Sequence, residues 1–372
     1  MAISALPISV SLCMIVKNEE QNIARCLSSV YPLMSEIIIV DTGSTDKTKE
    51  IVSQFTNKIY DFKWIDDFSA ARNYAFSLAN GDYTFWLDAD DVLIPEDYNK
   101  FHQILMALNS DVDAVSMLYN LAFDERGNVT CQLRRNRLVK TTKRFRWVGA
   151  VHEYLEVYGN VLNSDIAIYH KPHTHDAYRN LCIYEKRLLN GDTFTPRDLY
   201  YFANELSDHK LYNRAIEYYE KFLATKQGWV EDNIAACGKL CDCFYAIKDS
   251  NNQLKYIFKS FEYDVPRAEF CCRLGYYFLE QNVINQAIFW YRLAIQVGKP
   301  PNPWAVTNCA CYTWLPHIQL CVCYSRIGEY VLANQHNEAA AVFNPDFPAV
   351  DHNRKYLQQF IASDKQSNDR NM

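Results

Sequence analysis

The sequence predicts two folds in series: an α/β domain built on parallel strands, then an all-α domain of helical repeats. Three observations carry this. Short apolar runs alternate with helix-period segments through the first half. From about Pro196 the strand signals fade and helical pairs recur. The 372 residues are enough for two ordinary domains with sizeable cores.

Taken in order, "VSLCMIV" (residues 10–16) is a near-continuous apolar run, the pattern of a strand buried on both faces. The helix that follows carries Ile23, Leu27 and Val30 at helical spacing. "EIIIVDTGST" is a second buried strand ending at Asp41, with Ser44 or Thr45 placed to cap a helix bearing Ile51, Val52 and Phe55. "KIYDF" is a short third strand. "SAARNYAFSLA" is a helix that stops at Asn80-Gly81. "DYTFWLDADD" is the fourth strand. Strict alternation implies parallel βαβ units. It also places Asp41 and the Asp88–Asp91 segment just past the C-terminal ends of central strands, where open α/β sheets bind ligands.

Beyond Pro196, Ala203, Leu206, Ala215, Tyr219 and Phe222 fall close to the spacing of a tetratricopeptide repeat. The clearest copy has Leu274-Gly275, Phe278, Ala287, Tyr291 and Ala294 at that spacing, and a later one has Leu320, Cys321, Tyr324, Ala333, Ala340 and Pro345. A weaker unit lies around residues 240–261. Small residues at these points let paired helices approach closely. "GKPPNPWAVTNCACYTW" interrupts the period as an insertion. The expected organisation is an α/β domain over 1–170, a connecting helix over 171–195, repeats over 196–360 and a frayed polar tail over 361–372.

Composition narrows the function. Hydrophobic residues at 49% and charged residues at 22% are an ordinary globular balance, and aromatics reach 14%. A net charge of −6 gives no general attraction to nucleic acid. The local run Arg134-Arg135-Asn136-Arg137 with Lys140, Lys143, Arg144 and Arg146 reads either as a solvated face or as the lining of an anionic substrate site. No stretch is apolar for the roughly 18 to 20 residues of a membrane span. Residues 1–10 lack the basic region of a secretion signal, so a cytoplasmic protein is expected. The 13 cysteines are odd in number and fall mostly in helical segments, as buried reduced thiols do. They form CxC pairs and no CxxC pair, which does not suit zinc on a helix.

The chemistry centres on "WLDADD". Asp88-Ala89-Asp90 in a strand-end turn can present two carboxylates toward one point, as a hard divalent cation requires. A cation so held offsets charge on a leaving diphosphate. The competing reading is a solvated loop in which Asp91 caps the helix begun by "IPEDYNKF".

The ordered blocks "SLCMIVKNEEQNIARCLSSV", "EIIIVDTGSTDKT" and "DFSAARNYAFSLANGDYTFWLDADD" resemble the family 2 glycosyltransferases, over residues 9–92. The resemblance implies a GT-A fold, that is, a Rossmann-like nucleotide-diphospho-sugar transferase domain. It also implies a nucleotide-sugar donor, with Mn²⁺ or Mg²⁺ as cofactor. In its terms Asp41 contacts the base, as expected for uracil of a UDP-sugar, and Val16 offers a backbone contact to the base. Asp88 lies nearest the ribose, Asp90 ligates the metal, and Arg72 lies near the nucleotide. A pair between Arg72 and Asp66 or Asp67 is the competing structural role. Inverting transfer also needs a base for the acceptor's proton. "WVGAVHE" resembles a signature of the family branch that carries C-terminal tetratricopeptide repeats, and it assigns Glu153 as general base with His152 shaping the pocket. In that branch a histidine placed like His170, at the end of the strand "IAIY", completes the metal site. His173 and His175 read as surface residues. Arg179, Lys186 and Arg187 begin the connecting helix and are candidates to approach the diphosphate when a loop closes.

The layout is similar to that of the sublancin-type peptide S-glycosyltransferases of bacteria, and helical repeats suit a peptide acceptor. Polysaccharide, lipopolysaccharide or spore-coat glycan acceptors remain open, as does the choice between monomer and homodimer. Two further classes stand beside this one. A nucleotide-sugar hydrolase or pyrophosphorylase shares the metal carboxylates, but "MIVKNEEQNI" has no Gly-rich basic loop. A noncatalytic scaffold with a vestigial front domain would not need Asp41, Asp88, Asp90 and Glu153 together.

Overall fold

The computed structural model describes residues 6–123, 127, 129–171, 178–302, 305 and 307–369. The chain forms two compact units, Met1–Tyr201 and Phe202–Met372. In the first, β1 (Val10–Val16) leads into α1 (Ile23–Val30), then β2 (Glu36–Asp41), the short α2 (Thr48–Val52) and β3 (Ile59–Asp61). Next come α3 (Phe68–Ser77), β4 (Tyr83–Trp86), β5 (Asp91–Leu93) and α4 (Pro95–Ala107). A long hairpin of β6 (Ala114–Phe123) and β7 (Val129–Lys140) follows, then a small one of β8 (Arg146–Val148) and β9 (Tyr154–Glu156). The unit continues through β10 (Val161–His170) and α5 (Arg179–Leu189) into the start of α6 (Pro196–Asp208).

Eight strands make one sheet in the order β3-β2-β1-β4-β7-β6-β10-β5. The β3-β2-β1-β4 half is parallel, as the alternation of strand and helix predicts. The other half is mixed: β7 runs antiparallel to β4 and β6, and β5 antiparallel to β10. The parallel βαβ units expected of the alternating segments are these four strands, and the rest of the sheet lies outside that pattern. A short connection lets β7 fold back on β6, and antiparallel pairing needs no crossover helix. One face of the sheet buries Leu12, Met14, Phe85 and Met117 against Ile23 and Leu27 of α1 and Phe101 and Leu105 of α4. The other face packs Cys13, Ile38 and Val40 on Ala75 of α3, and Trp86 and Val139 on Trp147 and Leu155 of the β8–β9 hairpin.

Two local expectations fail. Neither Ser44 nor Thr45 caps α2, whose first residue follows Lys47; the Asp46 carboxylate accepts from the Thr48 N–H instead (3.0 Å). Asp91 does not cap α4, which starts after Ile94 with Pro95 in its first turn. Asp91 lies fully buried in β5.

The second unit is helical. The remainder of α6 is followed by α7 (Tyr212–Thr225), α8 (Val230–Ala246), α9 (Ser250–Ser260), α10 (Ala268–Glu280) and α11 (Ile284–Gln296). After the insertion come α12 (Trp314–Arg326), α13 (Tyr330–Phe343) and α14 (Pro348–Asp369), whose end at Asp369 lies within the segment read as a polar tail. Consecutive helices pack as pairs, α8 with α9, α10 with α11 and α12 with α13, in the tetratricopeptide manner. The close approach is visible at Gly275: a Cβ there would lie 2.7 Å from the buried Tyr291 ring. All thirteen cysteines are free, most of them buried. Among the described residues no helix is long and apolar enough to cross a membrane.

Candidate active site

The C-terminal ends of β1, β2 and β4 lie side by side, so one rim collects the loops that follow them. At the end of β2, Asp41 is 1% exposed. Its Oδ1 accepts from the backbone N–H groups of Gly43 and Ser44, both at 2.9 Å, which Gly43 permits by adopting φ +107°. Its Oδ2 is buried without a hydrogen-bond partner. Val16 sits beside it in register, and its carbonyl accepts from the Thr42 N–H at 2.9 Å.

The acidic segment after β4 is folded on itself. Asp91 Oδ2 accepts from the Asp88 N–H at 3.0 Å and from Arg137 Nη1 at 2.9 Å. The β5–β10 pairing sets His170 opposite Asp91. His170 Nδ1 then lies 3.4 Å from Asp90 Oδ1, 3.8 Å from Asp91 Oδ1 and 3.0 Å from the Tyr119 hydroxyl. One ligand atom each from Asp90, Asp91 and His170 fits within 4.8 Å of the others. Burial disfavours the His170 charge, but the neighbouring carboxylates of Asp90 and Asp91 outweigh it and push its pKa up to about 10. Two carboxylates and an imidazole match what Mn²⁺ accepts. The residues fit a cation on one further count: Asp91 Oδ1 is a buried acceptor with no hydrogen-bond donor.

Asp88 turns elsewhere. Its Oδ1 takes Arg72 Nη2 at 2.7 Å, and Arg72 Nε reaches Glu153 Oε1 at 2.5 Å. The two DxD side chains thus meet different partners rather than one point. The Arg72 guanidinium lies over the Trp86 and Trp147 rings at 5.1 and 4.8 Å. Burial opposes its charge, yet Asp88 and Glu153 more than compensate and raise its pKa above the ordinary arginine value. Burial likewise opposes the Asp88 charge, and the guanidiniums of Arg72 and Arg137 hold that carboxyl below its usual range. Neither Asp66 nor Asp67 competes for Arg72: Asp66 pairs with Lys186 at 2.8 Å, and Asp67 caps α3 through Ala70 N–H at 3.0 Å.

Glu153 stands in the turn between β8 and β9. That turn is braced by α3, where Asn73 exchanges two 2.9 Å hydrogen bonds with the Trp147 backbone and the Phe68 N–H meets the Ala150 carbonyl at 2.9 Å. Gly149 and His152 take left-handed conformations, φ +102° and +50°. The turn separates β8 from β9. The His152 ring stacks on Tyr201 at 4.4 Å, and its carbonyl accepts from Arg197 Nη2 at 2.9 Å. His173 and His175 lie outside the described residues. Arg187 pairs with Asp198 and Arg179 lies over Phe68.

Three further residues belong here: Arg137, which the sequence named only within its basic run, and Tyr119 and Glu19, which it did not name. Arg137 is fully buried between the Trp86 and Tyr119 rings, at 3.9 and 4.4 Å. The Tyr119 hydroxyl supports His170. The Glu19 carboxyl is raised by burial and by the charges of Asp90 and Asp88. The dense basic run around Arg137 was the available signal.

Residues 11–176 match the family model of glycosyl transferase family 2. With its mixed sheet this part of the chain is a GT-A-type α/β domain, followed by tetratricopeptide-type repeats. A TPR repeat-containing protein of Synechococcus elongatus is 44% identical over 105 residues, covering 28% of this chain and 26% of that protein. The SPbeta prophage-derived glycosyltransferase SunS of Bacillus subtilis is 28% identical over 222 residues, 56% of this chain and 51% of that one. The chain thus spans 26% to 51% of the length of these curated relatives. A crystal structure of Staphylococcus aureus TarS in complex with UDP aligns over 67% of this chain and 90% of that chain, at 16% identity and a TM-score of 0.34.

Proposed function

We propose that the protein is an inverting glycosyltransferase that moves a sugar from a UDP-sugar to a peptide or glycan acceptor, with Mn²⁺ or Mg²⁺ as cofactor. The observation that supports this most is the bridge Asp88–Arg72–Glu153, which ties the donor end of β4 to the turn bearing the proposed base. In this reading the buried, unpartnered Asp41 Oδ2 accepts from the imide N–H of uracil. Val16 offers backbone to the same base, and Asp88 meets the ribose. Asp90 and His170, with Asp91, would hold the cation, which when bound would offset the negative charge on the departing diphosphate. The acceptor's nucleophilic atom attacks the anomeric carbon as the bond from that carbon to the diphosphate breaks, and its proton passes to Glu153. Arg72 orients the Glu153 carboxylate for that transfer, and the Trp86 and Trp147 rings keep water from the guanidinium. The helical repeats are the proposed docking surface for the acceptor.

Calorimetry of UDP binding with and without Mn²⁺ tests the donor site. The Asp90→Ala variant is expected to lose the metal-dependent part of UDP affinity, and unchanged affinity rejects the assignment. The Glu153→Gln variant is expected to keep donor binding while turnover falls by about 10²–10⁴, the usual contribution of a positioned base. Near-normal turnover rejects that role. A thermal-shift screen of UDP-sugars with Mn²⁺ identifies the sugar, since a ligand that binds the folded state raises its melting temperature.

A further inference from the structure

The buried arginines beside the acidic segment are matched to carboxylates, Arg72 to Asp88 and Glu153 and Arg137 to Asp91. Arg135 is the exception. It stands on β7 opposite Met117 and is only partly exposed. Among the described residues it makes no ion pair and no hydrogen bond through its guanidinium. The groups that act on its charge are Tyr201, Arg137, Arg197 and Glu153. The carboxylate in that set, Glu153, is already held by Arg72. Arg197, on the first turns of α6, likewise has no carboxylate: its guanidinium is spent on the His152 carbonyl at 3.2 and 2.9 Å and the Tyr201 hydroxyl at 3.3 Å. It also lies over the Tyr154 and Tyr201 rings at 4.7 and 4.6 Å. Burial first, and then the like charges of Arg137 and Arg197, lower the pKa of Arg135, so its charged form is held at a cost. A desolvated guanidinium gathered with other guanidiniums is balanced when an anion arrives, and its planar fork suits a phosphate or a carboxylate.

We propose that Arg135, backed by Arg197, forms a subsite for an anionic oxygen group, a phosphate or a carboxylate, brought beside Glu153 by one of the two substrates. This rests on reading Glu153 as part of a glycosyl-transfer centre. Two sources share the chemistry: the diphosphate of the donor and an anionic group on the acceptor. Arg135 meets that group and Arg197 adds charge behind it, while fixing the Tyr201–His152 stack that walls the place.

The experiment compares wild type, Arg135→Gln and Arg135→Lys by calorimetry and thermal shift, with Mg²⁺ as the cation. The probes are uridine, UDP and inorganic phosphate, the last added to both free and UDP-loaded protein. If the anion is the donor diphosphate, Arg135→Gln loses at least tenfold in UDP affinity while uridine affinity stays unchanged. If it belongs to the acceptor, UDP affinity is unchanged, and phosphate stabilises UDP-loaded wild type but not UDP-loaded Arg135→Gln. Arg135→Lys, which keeps the charge without the fork, falls between the two proteins in either case. In the absence of ligand, Arg135→Gln melts at or above the wild-type temperature, because an unpaired desolvated charge has been removed. Unchanged UDP and phosphate responses overturn the proposal, as does a ligand-free melting temperature well below wild type, which marks a structural prop. Should wild type bind no UDP at all, the donor reading falls. The phosphate arm on the free protein then decides the subsite alone: protection lost in Arg135→Gln supports it, and protection absent or retained overturns it.

Discussion

Asp91 and Arg137 are both fully buried, 2.9 Å apart, and each is held by more than the other. Asp91 Oδ2 also takes the Asp88 N–H, so the guanidinium fixes the turn that aims Asp88 at Arg72. Breaking such a pair strands a charge in the interior, at a cost of about 3–5 kcal/mol, whereas replacing both partners costs far less. Arg137→Met is therefore expected to destabilise the protein by about that amount, and adding Asp91→Asn to recover much of it. Urea unfolding in chelator, run as a double-mutant cycle, checks the sign; additive losses reject the coupling. None of this was legible locally. The aspartates suggest an oxygen-ligand site by their spacing, whereas His170 entered only through the family resemblance. A run of arginines has the same composition on a solvated face as against a buried carboxylate, and only the tertiary pairing of β7 with β4 turns Arg137 inward.

At the scale of elements, periodicity announced strands and helices well but not which strands pair. The apolar runs of β1, β2 and β4 are long enough to be read as buried strands, while the three residues of β5 are not. Yet β5 is what presents Asp91 to His170. The repeats were readable because their requirement is local and steric: a small residue wherever two helices touch. That requirement can be ranked. At Gly275 an added Cβ meets the Tyr291 ring at 2.7 Å, and the ring is buried with no room to retreat. At Gly238 the nearest atom would be 3.7 Å away, an ordinary contact. Both glycines lie inside helices, where alanine is favoured by about 1 kcal/mol. At position 275 overpacking, typically costing about 1–3 kcal/mol, opposes that gain and wins against a ring that cannot move. Gly275→Ala is expected to lower the melting temperature and Gly238→Ala to raise it slightly. Equal shifts in the two variants contradict the steric account.

At the scale of the molecule, most buried ionisable groups among the described residues have partners of opposite charge, such as Glu231 with Arg267 at 2.6 Å. The helical unit holds one pair of a different kind. His317 Nδ1 and His336 Nδ1 lie 3.0 Å apart on α12 and α13, with Tyr324 stacked on His336 and Phe343 on His317. One imidazole can donate to the other only while the accepting ring is neutral, so the two cannot both be charged and keep this bond. Burial, then the charges of His317 and Arg292, pull the His336 pKa down to about 4, and burial lowers that of His317 as well. An unfolded histidine titrates near 6.5. Between those values the unfolded chain binds more protons than the folded one, so stability rises with pH across that window. The contribution is complete above about pH 6.5 and is lost as pH falls toward about 4. By pH 5 it amounts to about 1–2 kcal/mol for a partly solvent-screened group. Unfolding free energies of wild type and His336→Gln at pH 7.5 and pH 5 give the test: the wild type is expected to lose more than the variant over that interval. Equal losses mean that the two imidazoles titrate as they do in water and that the stacked rings around them provide packing alone.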